Sequence, residues 1–171
     1  MEPTKSLVST AYHQAGHAVA AYKFNLKPKD LTIIDEGNGD VEYIPAPYIS
    51  EDNMKEYEAG KLTAVTKLKL ENDAFISLAG PLAQIKFDPW GFKHSYAESD
   101  YHQAIDLLSM IEQDDEVLEL YFDLIDLRAR KFLSRRTNWK TVDHLAKAAL
   151  EQPKMSGRTV QHAISEGYDI C

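Results

Sequence analysis

The sequence predicts a mostly α-helical α+β domain carrying one small sheet. Three observations lead there. Apolar residues recur at helical spacing along most of the 171 residues; two short branched and aromatic runs flank a Gly-rich turn; and no linker, repeat or low-complexity tract divides the chain. A single domain over residues 1–171 is therefore expected, and that length can bury a core of its own.

The first helix is expected from Thr4 to Phe24, with Leu7, Ala11, Ala15, Ala18 and Tyr22 along one face, and Asn25 through Pro28 ends it. Leu31–Asp35 and Val41–Ile44 around Glu36-Gly37-Asn38-Gly39-Asp40 form a β-hairpin pattern. Ile44-Pro45-Ala46-Pro47 is expected to be extended, because a residue before proline is pushed out of helical geometry. Ser50 then offers an N-cap, and helical pattern runs through much of the stretch to Phe87. Phe75, Leu78, Ala79 and Leu82 make its apolar stripe, in which Pro81 implies a kink or a break. After a loop at Asp88-Pro89-Trp90-Gly91, helices are expected over 98–111, 116–133, 139–150 and 156–164.

Composition narrows the function. A hydrophobic fraction of 44% beside 27% charged residues fits a globular chain and not a disordered one. No apolar run approaches the roughly 18 residues that span a bilayer, and Met1-Glu2-Pro3-Thr4-Lys5 lacks the basic start and apolar block of a secretion signal. No membrane segment and a cytoplasmic location are expected. The net charge is −8, with acid concentrated between Glu112 and Asp126, which repels nucleic acid. The basic cluster Arg128, Arg130, Lys131, Arg135 and Arg136 follows that acid on one expected helix and complements its C-terminus. Cys171, the one cysteine, cannot form an internal disulfide.

His13-Gln14-Ala15-Gly16-His17 carries the chemistry. Two histidines four apart on a helix face the same way, with Cβ atoms about 5–6 Å apart, so their imidazoles can meet on one metal ion. Gly16 between them removes a side chain close to the metal or to a neighbouring backbone. Such a pair on a bare helix is also compatible with two ordinary surface histidines.

The surrounding residues resemble a known family. Thr10-Ala11-Tyr12-His13-Gln14-Ala15-Gly16-His17-Ala18-Val19-Ala20 is similar to the zinc-binding helix of the FtsH family of ATP-dependent zinc metallopeptidases. Leu31-Thr32-Ile33-Ile34 with Gly39-Asp40-Val41-Glu42-Tyr43-Ile44-Pro45 resembles that family's hairpin. Ile76-Ser77-Leu78-Ala79-Gly80-Pro81-Leu82-Ala83 resembles its small-residue helix, and Glu98-Ser99-Asp100-Tyr101-His102-Gln103-Ala104 the helix that supplies a third ligand. The resemblance covers residues 10–110 well and 111–171 loosely. It implies Zn²⁺ held by His13, His17 and Asp100, with a fourth position open to water or substrate. It also implies an extended peptide or unfolded protein as substrate. His94, His102, His144, His162 and Asp106 are left outside the site, since neither spacing nor helix face favours them.

The chain departs from the family at decisive points. The family's motif is His-Glu-x-x-His, and Gln14 stands where the general base belongs. A glutamine amide can hydrogen-bond water but has no proton to exchange at neutral pH, so peptidase activity is expected to be absent or severely impaired. Gln84 and Ile85 replace acidic residues that the family usually carries nearby, which favours natural drift over a single engineered change. No Gly-Lys-Ser/Thr phosphate loop occurs, so the 171 residues carry no ATPase module of their own. A separate ATPase or a homo-oligomer is left open. The expected function is thus a zinc metallopeptidase-like domain handling extended peptide. The alternatives are a non-catalytic pseudopeptidase that binds a peptide or partner, and a structural zinc domain.

Overall fold

A computed structural model describes residues 3–35, 38–44 and 51–170. The elements run α1 (Lys5–Lys23), β1 (Lys27–Asp35), β2 (Asn38–Ile44), α2 (Glu51–Glu58), α3 (Ala64–Phe87), α4 (Glu98–Ser109), α5 (Asp115–Ser134), α6 (Arg136–Glu151), β3 (Lys154–Ser156) and α7 (Gly157–Asp169), with a single 3₁₀ turn, His94–Tyr96, before α4. The mostly helical α+β class is as the sequence predicts. The turn at 36–37, the Pro45–Pro47 segment, the Ser50 cap and Cys171 lie outside the described residues.

α1 is set by its ends and by alanine. The Thr4 hydroxyl accepts from the Leu7 amide at 3.2 Å, capping the N-terminus. At the other end Asn25 takes a left-handed φ of 60°, the Leu26 amide donates to the Ala21 carbonyl, and the Asn25 amide to that of Tyr22. That pair of bonds is a Schellman stop, in which asparagine substitutes for the usual glycine. Between these caps α1 is buried on nearly every side, packed against α3, α6 and the sheet. Leu7, Ala11, Ala15 and Ala18 point inward as expected, whereas Tyr22 is partly exposed and stacks on Tyr168.

α3 runs antiparallel to α1: Lys5 pairs with Asp88 at 2.9 Å near one end, and Phe24 meets Phe75 edge-on near the other. The approach is close because Gly16 has no side chain. A Cβ there would sit 2.5 Å from the Ala79 carbonyl oxygen and 2.7 Å from the Ala83 Cβ. The expected stripe Phe75, Leu78, Ala79 and Leu82 is buried. The break expected at Pro81 does not occur; α3 continues through it to Phe87. Burial of that turn beneath α1 and its neighbours offsets the lost backbone bond.

The sheet differs from the expected hairpin in two respects. Its strands are longer, since β1 starts at Lys27 and Asn38–Asp40, expected in the turn, belong to β2. A third strand, β3, pairs antiparallel with β1 through Leu31 and Met155, giving the order β2-β1-β3. β1 is therefore central, and Leu31, Ile33 and Met155 are buried. α4, α5 and α6 begin and end close to expectation, whereas α7 runs more than a turn past the expected end at Ile164, to Asp169; Asp114 caps α5 and Ser156 caps α7. Among the described residues no helix is long and apolar enough to cross a membrane.

Two predictions follow from this packing. Gly16→Ala should lower stability by about 1–3 kcal/mol through overpacking against the α3 backbone, measured by urea unfolding in the presence of a chelator. The second concerns Asp73, which is buried on α3; burial, only partly opposed by Lys69, pushes its carboxyl up to about 7. Its folded-state pKa lies above the unfolded value, so this group costs stability as pH rises from about 4 to about 7. Asp73→Asn should therefore stabilise the protein at pH 8 and have little effect at pH 3.5, as read from paired melting curves.

Candidate metal centre

Three elements converge on one point. α1 contributes His13 and His17, and α4 contributes Asp100 from its first turn, where the helix dipole favours a carboxylate. The His13 and His17 Nε2 atoms are 3.0 Å apart. Asp100 Oδ2 lies 3.1 Å from His13 Nε2, and Asp100 Oδ1 lies 3.4 Å from His17 Nε2. Among the described residues this is the one group of three or more His, Cys, Asp or Glu side chains placed to hold a metal ion.

α3 decides which ring nitrogens face inward. The Ile76 carbonyl is 2.8 Å from His17 Nδ1 and can only accept, so Nδ1 carries the proton there. The Gln84 side-chain oxygen is 3.0 Å from His13 Nδ1 and sets the same tautomer. Each neutral ring then turns a bare Nε2 lone pair toward the other and toward a carboxylate. Two lone pairs and an anion at these separations repel unless a cation or a proton lies between them. The donor chemistry thus fits a bound metal ion.

With a proton in place of a metal ion between the donors, the Asp100 carboxylate is again the favoured form: burial alone would raise its pKa, but a charged His17 and hydrogen bonds from His13 and His17 outweigh it. The carboxyl is held well below the usual carboxylate range and stays ionised. Gly80 is the space that makes this possible: a Cβ at position 80 would lie 2.2 Å from His17 Nε2.

Gln14 is buried, and its side chain lies against β2, where a Cβ on Gly39 would come within 2.8 Å of Gln14 Cγ. The histidines left outside the site stay outside it. His94 packs edge-on against Phe92, His102 is exposed on α4, and His144 and His162 lie 3.6 and 3.4 Å from Glu166. Asp106 is exposed and takes no part.

Sequence reasoning missed the α3 contribution. Gln84 stood out only as a departure from a family pattern, yet it orients His13. The available signal was spacing: Ile76, Gly80 and Gln84 are four apart in turn and so share one helix face. Comparison of the sequence with models of known families and with curated proteins finds no match.

Loss of an orienting partner typically costs 10–100-fold in metal affinity. Gln84→Ala should weaken metal binding by about that factor while leaving the far-ultraviolet circular dichroism unchanged. Competition titration against a chromophoric chelator measures it, and an unchanged affinity would show that Gln84 does not orient His13.

Proposed function

We propose that this chain is a zinc-binding metallopeptidase-like domain of the FtsH kind, which takes an extended peptide or unfolded segment beside the metal and is catalytically disabled by Gln14. The observation that carries this reading is the convergent His13–His17–Asp100 donor set. Ligands about 2.0–2.1 Å from a tetrahedral ion lie roughly 3.3 Å from one another; here the two Nε2 atoms are 3.0 Å apart, and each has a different Asp100 oxygen near it, at 3.1 Å from His13 and 3.4 Å from His17. Two imidazoles and one carboxylate suit zinc and leave a fourth position for water or substrate.

Zinc, when bound, would supply Lewis acidity and lower the pKa of its water. The chain's own residues supply the rest. His13 and His17 present their Nε2 atoms because Gln84 and Ile76 hold the opposite nitrogens. Gln14 sits at the position where the peptidase pattern places its general base. Its amide can hold a water but cannot take a proton from it and return that proton to a leaving amine.

Peptide recognition falls to β2. β1 is paired on both sides, so the edge within the hairpin belongs to β2, the strand whose Gly39 touches Gln14. An extended peptide adding to that edge would run past the metal. A second reading, a binding module that captures peptide without cleaving it, is favoured by Gln14 itself.

One substitution separates the two. Purified protein should carry close to one zinc per chain, lost in His17→Ala and Asp100→Ala. Gln14→Glu should keep that zinc and raise hydrolysis of denatured casein by about a hundredfold or more, with His13→Ala in the same background abolishing it. A chain that takes up no zinc on reconstitution would overturn the whole reading. Normal zinc in Gln14→Glu with no cleavage would leave the binding module as the function.

A further inference from the structure

α5 has two apolar faces, and the fold uses only one. Ile125, Ala129, Phe132 and Leu133 are buried toward the core. On the other side Val117, Leu120, Leu124 and Leu127 are 47, 69, 43 and 48% exposed. Their spacing of three, four and three residues is that of the seam between two paired helices. Single exposed leucines need no explanation, but four in register along one exposed helix stripe mark a contact surface.

Charge says what covers it. Acid gathers in the N-terminal half of α5 and its cap, at Asp114, Asp115, Glu116 and Glu119, whereas Arg128, Arg130 and Lys131 occupy the C-terminal half. A second copy of the same helix laid antiparallel sets the acidic end of each beside the basic end of the other, whereas a parallel copy sets acidic end against acidic end and basic end against basic end; Asp126, in the basic half, is already engaged by Arg130 of its own chain. We propose that α5 is a homodimer contact, in which two copies of this chain pair antiparallel through the Val117–Leu127 stripe about a two-fold axis.

The register follows from the seam. Val117 packs against Leu127 of the second copy, and Leu120 against its Leu124. The flanking positions then bring Glu116 beside Arg130 of the second copy. Arg130 can make that bond: Asp126 engages only its Nε and Nη2, at 2.5 and 3.2 Å, and the side chain is 52% exposed. Such a contact is isologous and closes, so it stops at two. It rests on one helix per chain and belongs to the small, weak class of interfaces, with a dissociation constant in the micromolar range. At the axis Asp123 faces its own copy, a repulsion that the antiparallel arrangement alone creates. In a parallel pair Asp123 would instead face Arg128.

Sedimentation equilibrium of the whole chain, from micromolar to near-millimolar concentration, should show reversible dimerisation. Leu120→Glu with Leu124→Glu should give a monomer at every concentration, with unchanged helical content because both positions are exposed. Glu116→Arg should weaken the dimer about tenfold, and adding Arg130→Glu should restore it. Asp123→Asn should tighten it several-fold. A wild-type chain that stays monomeric, or a dimer indifferent to the leucine substitutions, would overturn the contact. A dimer weakened by Asp123→Asn would overturn its antiparallel sense.

Discussion

The close crossing of α1 and α3 governs the rest of the molecule. Gly16 lets the two backbones meet, and at that separation a carbonyl and an amide of α3 reach the rings on α1. A wider crossing would leave both Nδ1 atoms without partners and the two Nε2 atoms free to turn apart. Gly80 completes the fit by leaving room for the His17 ring. The donor set is thus a product of helix packing as much as of the histidine spacing.

The centre also ties together parts of the chain that have little else in common. His13 and His17 come from the core helix, Asp100 from the first turn of α4, and the orienting groups from α3. A metal ion held there would clamp α1 to α4 directly, and α3 through its hydrogen bonds to the two rings. Its binding would add directly to the stability of their packing. Gln14 alters none of this, because it lies toward β2 and is not among the donors.

Much of this was legible in the sequence, and the failures have physical reasons. Most helix extents were readable because apolar spacing acts locally; the caps at Thr4, Asp114 and Ser156 that fix three of the starts emerged only in the structure. The His13–His17 pair was readable for the same reason, whereas Asp100 came only by family resemblance. β3 was invisible, since three residues have no periodicity and become a strand only by pairing with β1. Pro81 misled because local propensity yielded to burial. Gln84 was noticed for what it replaced, and its role depends on how α3 lies against α1, which no local pattern encodes.

The placement of β3 bears on how the chain reaches its native state. β1 and β2 are neighbours in sequence and can find each other by a short loop closure, but β1 must wait for residues 154–156 before its other side is paired. During synthesis a ribosome would release α1, the hairpin and most of the helices while that flank of β1 was still bare. A bare strand edge is a template for pairing with the wrong chain. The interval between the emergence of β1 and the docking of β3 is therefore when nascent molecules are most exposed to aggregation, and a chaperone would have most to shield.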